Sequence, residues 1–388
     1  SICGVGFVAA MCQAQSEIPV SECEALAALY GSTGGPNWTD NTNWMTTPAP
    51  CSWQGVTCSE GSVTQLDLRG NQLAGQMPAA IGNLSSLQVL DLTNNSLTGS
   101  IPPELGSLAS LGDLWLGYNG LTGSIPSELG NLSGLTTLAL AGNDLGGTIP
   151  SQLGDLSSLR NLYLDGNQLT GTIPPELANL SGLAVLALGN NGLSGSIPIW
   201  LGSLPELWSL NIEDNQLTGD IPPELGNLSG LKNLDFELNQ LTGNIPSELG
   251  NLSELTYLDL KSNQLSGSIP AALGNLSKLE QLRLQYNQLT GSIPPELGNL
   301  SNLQQLYVES NNLGGQVPLS VAQNGGRIQN SYGTDRCVFL PPGNAGLSMP
   351  NNSEYQGADL DGDGYICGLA LTSFPTPELS PSLPRPDG

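Results

Sequence analysis

The sequence predicts an α/β solenoid, a stack of coils that each give one short strand to a single parallel sheet. Three observations predict it. Asparagines recur without deviation every 24 residues, from Asn71 through Asn95, Asn119, Asn143, Asn167, Asn191, Asn215, Asn239, Asn263 and Asn287 to Asn311, and a fixed period of this length marks stacked repeats. A leucine stands five residues before each asparagine, from Leu66 to Leu306, and an apolar residue stands three before it, usually Leu, with Ile212, Phe236 and Val308 as variants. Glycine lies four residues after each asparagine, from Gly75 to Gly315, and proline seven after, from Pro78 to Pro318.

Each part of the unit has a physical role. The period-two L-x-L before the asparagine is a strand with one buried face. So short a strand is stable only when stacked, and about 4.8 Å per coil gives a sheet about 50 Å long. Parallel strands need connections of a dozen or more residues, which the other half of the unit supplies. The asparagine falls where the chain leaves the strand, and its amide can bond backbone groups that would otherwise be buried unpaired, forming a ladder between coils. Glycine permits the tight bend, and proline stops further sheet pairing or opens a helical turn. The PPELG-type segment that follows has room for one or two helical turns.

The unit L-x-x-L-x-L-x-x-N-x-L-x-G-x-I-P resembles a leucine-rich repeat of the kind common in plant receptors and inhibitors, over residues 62–325. The resemblance implies a right-handed leucine-rich repeat horseshoe of about eleven 24-residue coils with a concave parallel β-sheet. The segment CSWQGVTC, with Trp53, Gly55, Val56 and Cys58, is similar to the N-terminal cap of such proteins. Trp38, Trp44 and Trp53 are then expected to cover the apolar end of the first coil, because an uncapped solenoid end must be hidden. Before them, Ser21–Tyr30 is expected to be a short helix with Ser21 as N-cap and Glu24 completing a capping box.

The expected organisation has five parts. Residues 1–16 resemble the remnant of a secretory leader, an apolar SICGVGFVAAMCQA followed by polar residues. Residues 17–61 form the cysteine- and tryptophan-bearing cap, 62–325 the array, 326–370 a C-terminal cap with an Asp-rich loop, and 371–388 a proline-rich tail. None of the seven cysteines lies in the array. Cys51 and Cys58 sit together in the first cap, and Cys337 and Cys367 flank the second. Disulfides at the two ends fit an oxidising, extracellular compartment. Cys3 and Cys12 are expected to leave with the leader, and Cys23 is left over, buried and free or exchanging with the Cys51/Cys58 pair.

Charge narrows the partners. The formal net charge is −25, with 9 basic residues and no histidine. Phosphate backbones require clustered Lys and Arg, so nucleic acid is disfavoured, as is docking to an anionic membrane surface. A basic protein or a cation is compatible. No run reaches the roughly 18 apolar residues of a membrane span.

Outside the array, Asp359, Asp361 and Asp363 alternate ahead of Gly364 and Tyr365. This resembles the first half of an EF-hand-type calcium loop, which implies side-chain oxygens from the three aspartates and the Tyr365 carbonyl as ligands of a structural Ca2+. Position twelve, Ala370, departs from the pattern.

Within the array, the positions seven, six, four, two and one before each asparagine are free to vary, and specificity resides where the repeat is broken. Aromatic residues collect there: Trp115, Tyr118, Tyr163, Trp208, Tyr257, Tyr286 and Tyr307. Charged residues run beside them, among them Asp165, Glu213, Asp235, Glu237, Asp259 and Arg283. Exposed Trp and Tyr with charged neighbours make protein-binding hot spots. Thr136, Thr137, Ala139 and Ala141 make the early coils bland. Without histidine there is no Ser-His-Asp or Cys-His arrangement. Acid–base work by Asp235 and Asp259 requires desolvation that an open sheet face does not promise. The Asn-Leu-Ser triplets from Asn83 to Asn299 are formal glycosylation sequons in a position whose primary role is structural. The sequence is thus read as a secreted or surface, non-enzymatic protein whose concave face binds another protein. The alternative is a structural or adhesive wall or matrix protein with carbohydrate contacts.

Overall fold

The computed structural model describes residues 10–14, 17–315, 317–318 and 320–321, together with the backbone of three short strands at 327–329, 337–339 and 365–367. One sheet of thirteen strands, here the main sheet, runs the length of the array. Its first two strands, Val56–Ser59 and Ser62–Asp67, are antiparallel. From Ser62–Asp67 onward, neighbouring coils pair in parallel with a register of 24 as far as Gln305–Tyr307. Leu66, Leu90 and every later leucine of that column are fully buried, as the L-x-L pattern requires.

The asparagine ladder forms. Asn239 is typical: Oδ1 accepts from the Leu217 N–H at 3.1 Å, and Nδ2 donates to the carbonyls of Ile212 at 3.0 Å and Phe236 at 3.3 Å. Each such amide thereby joins two coils and closes its own bend. After the proline, each coil makes a five-residue 3-10 turn such as Pro223–Asn227, the helical turn expected. A β-carbon added at Gly226 in that turn would collide with the Glu248 carbonyl of the next coil, so this close approach needs glycine.

Sequence patterning did not anticipate a second, eight-stranded parallel sheet, from Ala74–Gln76 to Gln240–Thr242. It lies between the asparagine and the proline, where only one leucine per coil faces inward and threonine, serine and glycine face outward.

The N-terminal cap covers the first coil with Trp38, Trp44 and Trp53, all at most 5% exposed. Their indole N–H groups donate to the carbonyls of Thr33, Gln54 and Thr47. Cys51 and Cys58 are bonded. Two expectations are corrected here. Cys23 is not left over but bonded to Cys12, which is fully buried in the cap core; the half-cystine assigned to a departing leader is therefore part of this cap. The helix spans Val20–Ser32 with Pro19 at its N-cap and no side-chain cap. The Pro19 carbonyl accepts from Glu22 and Cys23, which places Ser21 inside the helix. Glu22, not Glu24, acts at this end: it is 1% exposed and accepts from the Val63 N–H at 2.8 Å.

At the other end, Cys337–Phe339 and Tyr365–Cys367 pair antiparallel, with Cys337 opposite Cys367. Asp359, Asp361 and Asp363 lie outside the described residues, and of Tyr365 only the strand backbone is described.

Candidate binding face on the main sheet

Residues four and six before each asparagine alternate with the buried leucines and so point away from the core. In-register pairing lines them up in columns, and the predicted residues separate into three clusters.

In the first, Trp115 and Tyr163 approach to 6.3 Å between ring centroids, nearly parallel at 27°. The strand between them puts Ala139 in register with both. The small side chain leaves the gap over which the rings lean, so a residue that looked bland is what brings the pair together.

The second is built on Arg283. Its guanidinium lies 5.3 Å from the Tyr257 ring centroid and 5.6 Å from that of Tyr307. It also donates to Asp259 Oδ2 at 3.3 Å and to Gln281 at 3.0 Å. Asp259 is fully buried and accepts from the Tyr257 hydroxyl at 2.9 Å and from the Lys261 N–H at 2.9 Å. Burial raises its carboxyl to about 6, with the Arg283 charge opposing the rise. Burial, aided by Asp235 and Asp259, also pushes the Tyr257 hydroxyl up.

The third cluster is acidic. Glu213, Asp235 and Glu237 each place an oxygen within 4.8 Å of the others. Lys261 donates to Glu237 at 2.8 Å. Asp235 is 6% exposed, and burial, then Asp259 and Glu213, raise it well above the usual carboxylate range. The expectation that an open face would leave these carboxyls solvated is therefore corrected. Neighbouring side chains, rather than a cleft, remove the water. Asp165, two coils before Glu213, is raised to about 6 by burial and by the Glu213 charge.

Tyr118 and Tyr286 stand apart from these clusters, 59% and 54% exposed. Both precede a ladder asparagine and have positive φ, 54° and 58°. That bend is left-handed throughout the array, with Gly70, Asn94, Gly142, Gly166, Asn190, Asp214, Ser262 and Ser310 in the other equivalent positions, and glycine or asparagine meets it at least cost. Sequence reading missed a third member, Leu238, 45% exposed at φ 54°. The signal was a bulky side chain in a column otherwise held by small or polar residues. Trp208 is half-buried and has no aromatic partner among the described residues.

A regular strand-and-turn stack with one sheet face lined by unshared side chains defines a repeat solenoid. The chain belongs to the leucine-rich repeat family, and its solved relatives include plant receptor ectodomains. A leucine-rich repeat region model matches residues 167–317, and further leucine-rich repeat models match 61–121 and 134–156. The chain is similar to the ectodomain of the Arabidopsis thaliana receptor kinase GASSHO1/SCHENGEN3, solved with CASPARIAN STRIP INTEGRITY FACTOR 2. Identity is 39% over 80% of this chain and 38% of that one, with a TM-score of 0.74. It is similar to the Arabidopsis receptor kinase HAESA, solved with the peptide hormone IDA and the co-receptor SERK1, at 37% identity over 79% and 52% of the two chains, TM-score 0.69. It thus spans from about two fifths to half the length of these two. A plant ice-binding protein is matched at 32% identity over 77% of this chain and 96% of that one, TM-score 0.66.

Proposed function

We propose that this chain is an extracellular recognition module whose main-sheet face binds a protein or peptide with basic groups. The observation that carries the reading is the set Tyr118, Leu238 and Tyr286. Large side chains are held exposed in a backbone conformation that the rest of the column gives to glycine or to small polar residues, and backbone strain of this kind concentrates at functional sites. The acidic cluster between them favours cationic groups on the partner. Disulfides in the cap fit an oxidising compartment, and the complexes of GASSHO1/SCHENGEN3 with CASPARIAN STRIP INTEGRITY FACTOR 2 and of HAESA with the peptide hormone IDA give the reading its precedent.

The test is selection of displayed secreted peptides on the purified chain, followed by titration against Tyr118→Ala and Tyr286→Ala. Binding that falls at least tenfold in the variants and weakens with salt supports the reading. Ligands that bind parent and variants alike would move the function off this face, and selective capture of glycans would favour the adhesive alternative.

A second reading is favoured by the second sheet and by the likeness to the plant ice-binding protein. Thr98, Thr122, Thr170 and Thr218 are exposed there, and the Thr170 and Thr218 hydroxyls bond the carbonyls of Gly147 and Gly195 in the preceding coil. A fixed array of hydroxyls and methyls presents a repeating surface to water. Ice shaping by the parent, lost in Thr170→Lys and Thr218→Lys, would support it; ordinary round ice discs in the parent would remove it.

A further inference from the structure

We propose that Arg283, Gln285 and Glu309 form a subsite for a primary carboxamide in the last two coils of the main-sheet face. The inference deepens the peptide-binding reading of that face and rests on it. Among the described residues, three buried side-chain nitrogen or oxygen atoms have no hydrogen-bond partner: Arg283 Nε, Gln285 Oε1 and Glu309 Oε2. Buried polar groups are paired nearly everywhere in folded proteins, and each exception calls for an explanation. Here all three exceptions fall in two adjacent coils. Gln285 is 6% exposed, so its carbonyl oxygen is shut off from solvent as well as unpaired.

The sheet makes these residues neighbours. Arg283 and Gln285 flank the fully buried Leu284 and so lie together on the outward side of the chain. Gln285 and Glu309 each stand two residues before a ladder asparagine. The Leu284 N–H donates to the Tyr307 carbonyl at 2.8 Å and the Tyr286 N–H to the Glu309 carbonyl at 3.0 Å, which sets Gln285 beside Glu309 of the next coil. The donors nearest to them are already engaged. Arg283 gives Nη1 to Asp259 and Nη2 to Gln281. Lys261, before Gln285 in the same column, donates to Glu237 at 2.8 Å. Burial raises the Glu309 carboxyl, in keeping with an oxygen that no donor serves.

The polarity of the unpaired atoms selects the ligand. One donor and two acceptors are left over, so the complement is one acceptor and two donors. A primary carboxamide carries this set, a carbonyl oxygen and two N–H groups. An ammonium or guanidinium offers donors only, and would leave the Arg283 N–H bare beside a like charge. A carboxylate offers acceptors only, and would meet the charge of Glu309. A peptide presents a primary carboxamide as an asparagine or glutamine side chain or as an amidated C-terminus. The three atoms are covered in the free chain, and the long side chains of Arg283 and Glu309, both partly exposed, turn aside to admit the ligand, a scale of rotamer change common at interfaces. Tyr286, next to Gln285 in the chain and 54% exposed, offers ring surface to the carbon stem. A site of this kind rejects an analogue lacking the amide, because its buried groups then stay unpaired.

The experiment titrates the isotope-labelled full chain with acetylated tripeptides and follows the Arg283 Nε–H resonance by nuclear magnetic resonance. The probes are Gly-Gln-Gly, Gly-Lys-Gly and Gly-Glu-Gly, each closed with a methylamide, and Gly-Gly-Gly closed with a primary amide. The glutamine peptide is expected to shift the resonance saturably with a Kd in the millimolar range, and the lysine and glutamate peptides to leave it in place. Gln285→Met should weaken that binding at least tenfold. It should also raise the melting temperature, because an unpaired buried amide is removed, which shows that the variant is folded. A saturable shift with the Gly-Gly-Gly amide alone would equally support the subsite and assign it to an amidated C-terminus. Absence of a saturable shift with both amide probes would overturn the proposal. So would a lysine peptide that matches the glutamine peptide, or binding left unchanged by both Gln285→Met and Glu309→Met. These failures leave the wider reading of the face standing, since that reading is tested by Tyr118→Ala and Tyr286→Ala.

Discussion

The rings of Trp115 and Tyr163 meet at 6.3 Å although a whole strand lies between the strands that carry them. At about 4.8 Å per strand their backbones are roughly 10 Å apart. Only the small Ala139 between them lets the rings close over it. Ala139→Leu is expected to wedge the pair apart, forfeiting an aromatic contact worth about 0.5–1.5 kcal/mol. Partner affinity should fall more than stability, measured by titration beside chemical denaturation. A variant that unfolds far more easily, with affinity intact, would make the pair a packing feature only.

The asparagine ladder predicts a large local effect. Asn239 is 8% exposed and serves the Leu217 N–H and the carbonyls of Ile212 and Phe236. Asn239→Ala leaves these buried groups without partners, at about 1–3 kcal/mol for such a loss. Contacts in a solenoid are with nearest neighbours, so hydrogen exchange should quicken in the coils on either side of Asn239 and hardly at all near Asn95. A uniform change along the array would show that the ladder is not a coil-by-coil device.

These features differ in how far the sequence disclosed them. The main sheet, the ladder and the 3-10 turns follow from residues repeated at a period of 24, so each copy repeats the signal, and the tryptophan cap was legible from its CSWQGVTC segment and from the apolar end it must cover. The second sheet has one buried leucine per strand, such as Leu97 or Leu217, among glycine and threonine, and this leaves no alternation to detect. The Cys12–Cys23 bond was hidden because an apolar start to the chain has the pattern of a leader whether or not it packs. On the main-sheet face, the partners one coil apart were legible, as with Lys261 and Glu237. The seating of Arg283 between Tyr257 and Tyr307 was not, because the two tyrosines occupy different columns, six and four residues before their asparagines. The burial of Asp235 and Asp259 also follows from side-chain volume above the sheet, which no column shows.

Tyr286 offers a direct test of strain held for function. Its φ of 58° costs a non-glycine residue roughly 1–2 kcal/mol, and asparagine less. Tyr286→Asn should therefore stabilise the chain by about 1 kcal/mol in urea denaturation while weakening partner binding. A loss of stability would mean that the tyrosine packs for the fold and that its exposure has no bearing on recognition.

Asp165 makes stability depend on pH. Its carboxyl is raised to about 6, above the unfolded value of 3.8, so the folded chain holds this proton more tightly than the unfolded one. Stability from this group is full below about pH 4, falls as the pH rises toward 6 and stays low beyond it. Asp165→Asn should flatten that part of the melting profile and raise stability at pH 7 by about 1–2 kcal/mol, allowing for partial solvation. A variant profile that keeps the full slope between pH 4 and 6 would place the titration elsewhere.

Arg283 tests whether the ion pair with Asp259 is needed for its attraction or only to compensate a buried charge. Asp259 is fully buried, while Arg283 keeps 28% of its side chain exposed. Removing the guanidinium leaves the carboxylate uncompensated, and the rings of Tyr257 and Tyr307 lose the cation between them. Arg283→Met is expected to cost about 2–4 kcal/mol at pH 7, and less near pH 5, where Asp259, raised to about 6, is protonated. Asp259→Asn alone should cost little, since an amide keeps much of the hydrogen bonding. The double variant should recover most of what Arg283→Met loses, and a double-mutant cycle in denaturant measures the coupling. If the two losses simply add, Arg283 is held by the tyrosine rings alone, and the charge of Asp259 is balanced by the Lys261 N–H and the Tyr257 hydroxyl.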